Sequence, residues 1–163
     1  MKKVILVGGT MGIGKSTVCH ELNKCLDKSV FLDGDWCWNM HPFIVNEETK
    51  KMVMNNIIYQ LNQFIHCSSI DYVIFGWVMH EQAIIDEIVK RLDECEIVPI
   101  SLICNESTLT KRIEKDICEG KRTQSDLKRS IARLEMYYSL NTYKIDVSSL
   151  NVENTVKELK KFL

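Results

Sequence analysis

The chain has 163 residues, enough for one domain with a sizeable core, so folding needs neither disulfides nor a structural metal. Its 21 Lys and Arg against 22 Asp and Glu give a net charge of −1, which argues against non-specific nucleic-acid binding because that needs a clustered basic field. Ordinary apolar (45%) and charged (26%) fractions, with two prolines and seven glycines, exclude disordered and collagen-like chains.

The cysteines and the N-terminal segment bear on the compartment. Seven cysteines occur without a Cys-x-x-Cys pair, and most lie in apolar stretches where a free thiol packs as a small hydrophobe. We therefore expect a reducing, cytoplasmic environment. The segment 1–9 has only four consecutive apolar residues, too few for a signal sequence or a membrane span, so we expect no membrane partner.

Strand and helix patterns alternate along the whole chain. Short β-branched and apolar runs predict five buried strands, at 4–7, 30–32, 72–75, 97–103 and 143–147. Residues with helical patterns predict six helices, at 15–26, 47–65, 81–92, 107–119, 126–140 and 152–163, the last capped by Asn151 or Asn154. The alternation predicts an α/β fold, a five-stranded parallel sheet with helices on both faces, as a single domain over 1–163.

The most specific motif follows the first predicted strand and opens the first predicted helix. Residues 9–16 match GxxxxGK[ST] in full, within the run GGTMGIGKST. Glycines let successive main-chain N–H groups turn inward around a phosphate, and the helix points its positive dipole end at the same anion. The motif predicts a purine nucleoside triphosphate site, with Lys15 at the β/γ-phosphates and the Ser16 hydroxyl on Mg²⁺. The predicted nucleotide contacts are Gly9, Thr10, Met11, Gly12, Ile13, Gly14, Lys15, Ser16 and Thr17.

Two carboxylates, Asp33 and Asp35, follow the second predicted strand. The third strand, with the sequence YVIFGW, lacks the Asp that ends a Walker B strand, so another carboxylate must reach the Mg²⁺. Asp33 and Asp35 lie at the carboxyl end of a strand next to the phosphate loop, and their i, i+2 spacing points them the same way. One of them can serve the metal while the other accepts a hydrogen bond from a substrate hydroxyl and acts as a general base.

With these motifs the chain resembles the small-molecule kinases of the P-loop superfamily, such as shikimate kinase, gluconate kinase, chloramphenicol phosphotransferase and the nucleotide kinases. The matching features are GGTMGIGKST, then FLDGDW, then a basic helix, then Arg133-x-x-x-Tyr137. The resemblance implies a three-layer P-loop NTPase fold with a small lid. It also implies ATP and Mg²⁺ as cofactors, and transfer of the γ-phosphoryl group to a hydroxyl or phosphate of a metabolite, nucleoside, nucleotide or antibiotic. Asp33 would then serve the metal and Asp35 the acceptor hydroxyl.

The same resemblance gives roles to the basic residues after the fourth strand. In these kinases an arginine on the next helix packs on the adenine, which implies Arg112 at the nucleotide. A lid then supplies phosphate-contacting arginines, which implies a lid over about 118–126 with Lys121 and Arg122 as candidates. A guanidinium such as that of Arg122 meets several oxygens of the transferring phosphoryl group at once. These side chains can equally form solvated helix faces paired with nearby acids.

Aromatic residues cluster at the ends of the second and third strands, where the small-molecule acceptor is expected, at Trp36, Trp38, Phe43 and Trp77. Rigid aromatic walls suit a flat or partly apolar acceptor, although such residues can instead cap the core beneath the sheet. We assign acceptor binding to Asp35, Trp36, Gly76, Trp77 and Arg133, with His80 as a further candidate.

A nucleotide-binding regulator, or a P-loop ATPase without small-molecule transfer, is the alternative function. A GTPase would need an Asn-Lys-x-Asp motif after a strand, but the fourth strand is followed by Cys104-Asn105-Glu106-Ser107. An AAA-type motor would need a Walker B carboxylate pair, which the third strand lacks. No interface stripe stands out, so the sequence predicts no particular oligomeric state.

Overall fold

The computed structural model describes residues 1–163, which form five strands and six α-helices. The strands are β1 (Lys3–Gly8), β2 (Ser29–Asp33), β3 (Tyr72–Gly76), β4 (Glu96–Ile103) and β5 (Tyr143–Asp146). The α-helices are α1 (Lys15–Cys25), α2 (Glu47–His66), α3 (Gln82–Arg91), α4 (Glu106–Cys118), α5 (Gln124–Leu134) and α6 (Val152–Lys160). Two 3₁₀-helices span Gly34–Trp38 and Glu135–Ser139.

All five strands are parallel and lie in the order β2-β3-β1-β4-β5, which confirms the predicted sheet. After β1 the chain moves toward the β2 edge of the sheet, and after β3 it moves in the opposite direction, to β4 on the far side of β1. The carboxyl ends of these two adjacent strands therefore flank a crevice, the place where open α/β sheets bind ligands.

The core forms two layers, one on each face of the sheet. Successive residues of β1 alternate between them: Ile5 and Val7 belong to one cluster, and Val4 and Leu6 to the other. The first cluster includes buried side chains of α1, α4 and α6, and the second includes those of α2 and α3. Helices thus cover both faces, which explains why the strands read as continuous apolar runs rather than alternating ones.

Helix boundaries differ most in the segment predicted as one helix over 126–140. Helix α5 begins earlier, at Gln124, because Thr123 and Asp126 form a capping box, and it gives way to 3₁₀ geometry after Leu134. At the last helix the cap is Asn151, whose side chain accepts the main-chain N–H of Asn154 at 2.8 Å. None of the helices combines the length and the apolar composition needed to cross a membrane.

Candidate active site

The segments after β1, β2 and β3 line one cavity of about 1460 Å³ at the crevice. A pocket for one small ligand usually measures about 300–1,000 Å³. The cavity therefore has room for two molecules side by side, and its two ends differ in chemistry. The end nearest α1, α4 and α5 is rich in cations, and the end nearest α2 and α3 is rich in apolar side chains.

The phosphate loop (residues 9–14) turns sharply because two of its glycines adopt left-handed conformations. Gly12 has φ 82° and Gly14 has φ 102°, in the region that glycine occupies without steric cost. At Gly12 a Cβ atom would lie 2.6 Å from Cγ1 of Ile113, so α4 packs directly against the loop. The curvature that the glycine spacing predicts is present, and α4 holds it in place.

Helix α1 opens toward the cavity without a side-chain cap. The earliest helical hydrogen bond of α1 joins the N–H of Val18 to the carbonyl of Gly14 at 3.1 Å, and residues 15–17, whose amides precede it, line the cavity. Such uncapped amides, together with the positive end of the helix dipole, form a binding site for an anion. The start of α1 thus presents uncapped amides at the place where the glycine motif predicts a phosphate.

Lys15 sits in this site with its ammonium poorly solvated. Its Nζ donates to the carbonyl of Thr10 at 3.2 Å. Burial lowers the pKa of Lys15 to about 8, although the carboxylates of Asp35 and Asp33 act in the opposite direction. A phosphate beside this ammonium would add a further negative charge that favours its protonated form.

The acidic pair lies directly across from the start of α1. The Ser16 hydroxyl donates to Oδ2 of Asp33 at 2.7 Å, and Oδ1 of Asp33 accepts the main-chain N–H of Asp35 at 3.0 Å. Burial and the neighbouring Asp33 carboxylate raise the pKa of Asp35, while Lys15 lowers it. Asp33 thus faces Ser16 and also fixes the backbone that carries Asp35.

A buried contact ties the phosphate loop to α5. The Thr10 hydroxyl donates to the carbonyl of Ser130 at 2.8 Å and lies 3.0 Å from the Ser130 hydroxyl. The Ser130 hydroxyl in turn donates to the carbonyl of Met11. Both hydroxyl-bearing residues are at most 1% exposed, so these hydrogen bonds are shielded from water. Because α5 also carries Arg129 and Arg133, this contact sets their position relative to the loop.

We expect Ser130→Ala to lower the free energy of unfolding by about 0.5–1.5 kcal/mol, because the Met11 carbonyl loses the hydroxyl that donates to it, while the Thr10 hydroxyl keeps the main-chain carbonyl of residue 130. Chemical denaturation of both proteins measures the effect. Ser125→Ala is the matched control, since Ser125 lies on the same helix and is exposed. Equal stabilities of the two variants would contradict a role for the contact.

The cationic side chains of the cavity differ in the protein groups to which they are already bound. Arg112 donates to the main-chain carbonyls of Ile13 at 2.8 Å and Val147 at 3.3 Å, so it braces the loop as well as lining the cavity. Arg122 pairs through Nε with Oδ2 of Asp116 at 2.9 Å. Arg133 lines the cavity without an ion pair to any carboxylate. It is therefore the arginine most available to an anionic ligand group.

His80 lies next to Arg133 in the cavity lining. Burial and the Arg133 charge lower the pKa of His80, which favours the neutral imidazole. Its Nδ1 is buried and has no hydrogen-bond partner in the protein. Since His80 follows β3, it faces the same crevice as the phosphate loop.

Most of the residues predicted for the site line the cavity: Met11, Gly12, Gly14, Lys15, Ser16, Thr17, Asp33, Asp35, Trp36, Trp77, Arg112, Arg122 and Arg133. Four predicted residues do not line the cavity: Gly9, Thr10, Ile13 and Gly76. Ile13 belongs to the core, and the main-chain N–H groups of Gly9 and Ile13 donate within the protein, to Val78 and Thr10. Gly76 instead leaves space for Cys19 and Phe31, which a Cβ atom there would approach to 3.2 and 3.3 Å.

Sequence reasoning missed several lining residues that come from α2 and α3. Lys50 and Met54 of α2 and Ile84 of α3 reach the cavity. Met54 and Ile84 belong to ordinary amphipathic stripes, so nothing in the pattern separates them from core residues. Ser130 gave no signal at all, because its partner Thr10 lies 120 residues away.

Known proteins resemble this chain in family and in fold. The family model described as "AAA domain" matches residues 5–133. A search of the curated proteins finds no match. Similar solved structures include a gluconokinase from Sinorhizobium meliloti 1021, with 18% identity and a TM-score of 0.71, covering 96% of this chain and 88% of that one.

Two more structures share the fold over nearly the whole chain. The tunicamycin resistance protein of Deinococcus radiodurans has 15% identity and a TM-score of 0.71, covering 99% of this chain and 95% of that one. Shikimate kinase from Acinetobacter baumannii, in complex with shikimate, has 18% identity and a TM-score of 0.65, covering 99% and 92%. The chain therefore belongs to the AAA domain family, and its fold is that of the P-loop small-molecule kinases.

Proposed function

We propose that the protein is an ATP-dependent kinase that transfers the γ-phosphoryl group to a hydroxyl or phosphate of a small-molecule acceptor. The observation that carries this proposal is the shared cavity, onto which the phosphate loop and the acidic pair both open. A nucleotide at the cationic end leaves the apolar end free for a second molecule. A regulator that only binds nucleotide has no need for that second space.

The nucleotide end binds through main-chain amides and Lys15. The amides at the start of α1 hold phosphate oxygens, and Lys15 adds a charge at the β/γ-phosphates. Arg112 is the candidate contact for the base, because it lines this end and is held in place by two carbonyls. These groups are preorganised, so little of the binding free energy goes into ordering them.

Ser16 and Asp33 suit Mg²⁺, because they bring a hydroxyl oxygen and a carboxylate oxygen within 2.7 Å of each other. Mg²⁺ sites in kinases commonly use one or two protein carboxylates, with phosphate and water oxygens as the remaining ligands. When bound, the cation would supply positive charge to the phosphate oxygens of the nucleotide.

Asp35 is the candidate general base. The acceptor hydroxyl oxygen forms a bond to the γ-phosphorus, the bond from that phosphorus to the β-γ bridging oxygen breaks, and ADP leaves. The hydroxyl proton passes to the Asp35 carboxylate. The raised pKa makes the Asp35 carboxylate a better proton acceptor than an aspartate with the ordinary pKa.

Of the two lid candidates we expect Arg122 to matter and Lys121 to matter little. Within the predicted lid, residues 119–123 lie between helices α4 and α5. From this segment Arg122 reaches the cavity, whereas Lys121 is exposed and paired with Glu119. Arg122→Ala should lower kcat about 10²–10³-fold, as loss of one group that stabilises transition-state charge does. Lys121→Ala should change kcat less than about twofold. Similar losses in both variants would contradict this assignment.

The proposal is tested by measuring ADP release from MgATP with and without a panel of acceptors. A kinase hydrolyses ATP slowly alone and releases ADP rapidly once an acceptor is present, with one phosphorylated acceptor per ADP. Fast release that no acceptor changes would indicate an ATPase, and binding without release would indicate a regulator.

A further inference from the structure

The apolar end of the cavity has a composition that selects its ligand. Nine of the cavity's ten apolar lining residues come from the 3₁₀-helix after β2 and the segment that follows it, from the loop after β3, and from α2 and α3: Trp36, Trp38, Phe43, Val45, Met54, Trp77, Val78, Met79 and Ile84. We propose that the phosphoryl acceptor is an alcohol with a flat aromatic ring, bound against Trp77 and the Trp38–Phe43 pair. This inference rests on the proposed kinase function, and it names the substrate class.

Trp77 stands beside the carboxylates that would act on the acceptor. A Cβ atom built on Gly34 would lie 2.4 Å from Cγ of Trp77, so the indole packs directly on the main chain between Asp33 and Asp35. The Phe75 ring supports it, with centroids 6.2 Å apart. A hydroxyl that reaches Asp35 therefore brings the carbon skeleton behind it close to the Trp77 indole.

A second aromatic wall lies on the segment between the first 3₁₀-helix and α2. The Trp38 and Phe43 rings are 5.7 Å apart and tilted by 46°, and the indole N–H of Trp38 donates to the carbonyl of Ile44 at 3.2 Å. Phe43 is nonetheless 65% exposed, and its neighbour Val45 is 55% exposed. These apolar side chains are held in place at the cavity mouth with their faces open to water. Burying those faces against an aromatic ligand would therefore contribute favourable free energy to binding.

The polar side chains at this end are outnumbered by the apolar ones: besides Asp35 and the paired Lys50 and Glu47, they are Asn39, Lys51, His80 and Glu87. Lys50 is paired with Glu47 at 3.1 Å, and both belong to the rim of the cavity rather than to its aromatic walls. A ligand with many hydroxyls would place some of them against indole and phenyl rings, where each unpaired group costs about 1–3 kcal/mol. An aromatic alcohol needs one polar contact at Asp35, and Arg133 can receive one further polar substituent.

The test compares two sets of probes at equal concentration. The aromatic alcohols are thymidine, adenosine and 4-nitrobenzyl alcohol, and the polyols are gluconate, shikimate and glucose. Calorimetric titration in the presence of Mg²⁺ and a non-hydrolysable ATP analogue gives each dissociation constant. ADP release from MgATP gives turnover independently.

We expect at least one aromatic alcohol to bind tenfold or more tightly than every polyol and to stimulate ADP release. Preferred binding or phosphorylation of a polyol would overturn the aromatic class and leave the kinase function intact. Aromatic binding without ADP release would support the aromatic site and count against the kinase function. If no probe of either set bound, the aromatic site would be rejected.

Two variants distinguish a contact with the aromatic ligand from a general effect of removing an exposed aromatic side chain. Phe43→Ala should raise the dissociation constant of the best aromatic probe tenfold or more, and should change that of the ATP analogue less than twofold. Phe43 is exposed, so its removal leaves the core intact. Tyr59→Ala is the matched control, because Tyr59 is 67% exposed on α2 outside the cavity and should affect neither constant. An unchanged aromatic affinity in Phe43→Ala would overturn the proposal.

Discussion

Lys15→Met should abolish phosphoryl transfer and, at the same time, stabilise the ligand-free protein. The loss of transfer follows from the proposed role of the Lys15 ammonium, which lies beside the phosphate loop and would hold the transferring phosphate. The gain in stability follows from its depressed pKa, which burial brings from 10.5 to about 8. One pKa unit corresponds to about 1.4 kcal/mol, so removing the desolvated charge should stabilise the fold by on the order of 1–3 kcal/mol at pH 7.

The pH dependence of this gain has a defined sign. Below pH 8 Lys15 is protonated in both the folded and the unfolded state, so the wild type carries the full desolvation penalty. Between pH 8 and 10.5 the unfolded chain binds more protons than the folded one, so wild-type stability rises with pH. The stability difference between Lys15→Met and the wild type should therefore shrink across this range.

Chemical denaturation at several pH values, together with ADP release, checks both effects. Lys111→Met is the control, because Lys111 is exposed on α4 and does not line the cavity. It should leave turnover unchanged and alter stability by less than about 0.5 kcal/mol. Turnover near that of the wild type in Lys15→Met would show that the loop does not hold the transferring phosphate.

The architecture could be predicted because it follows from local patterns. Five apolar runs buried on both faces read as parallel strands, and the glycine spacing of residues 9–14 encodes a turn that only left-handed conformations can make. The 3₁₀ turn after Leu134 was not predictable, because the apolar stripe continues through it to Tyr137 and Leu140. Periodicity reports which face is buried and not which hydrogen-bond pattern the backbone adopts.

The parts of the candidate site that sequence reasoning missed depend on contacts between distant segments. Thr10 is a predicted phosphate contact, yet its hydroxyl is directed to Ser130 of α5 instead of the cavity. Gly34 reads as a turn residue between two aspartates, and only the fold shows that Trp77 needs the space a side chain would fill. Such contacts leave no periodic signal, because each joins one residue to another far along the chain.

Asp35→Asn and Asp33→Asn should have different kinetic consequences although the two carboxylates are two residues apart. In Asp35→Asn the carboxamide keeps the shape of the side chain but cannot take the acceptor proton, so kcat should fall about 10²–10⁴-fold. The affinity for MgATP should stay within about threefold, since the contacts of Ser16 and Asp33 are untouched.

Asp33→Asn removes the carboxylate that faces Ser16, so we expect weaker MgATP binding and a higher Mg²⁺ concentration at half-maximal rate. Asp33 also accepts the main-chain N–H of Asp35 at 3.0 Å, so the two positions are coupled. The rate of the double variant should therefore fall by a smaller factor than the product of the two single-variant factors. Single-turnover kinetics over a Mg²⁺ titration measure all three variants, with the exposed Asp27→Asn as control. If Asp35→Asn shifted the Mg²⁺ dependence and Asp33→Asn did not, the roles of the two carboxylates would be exchanged.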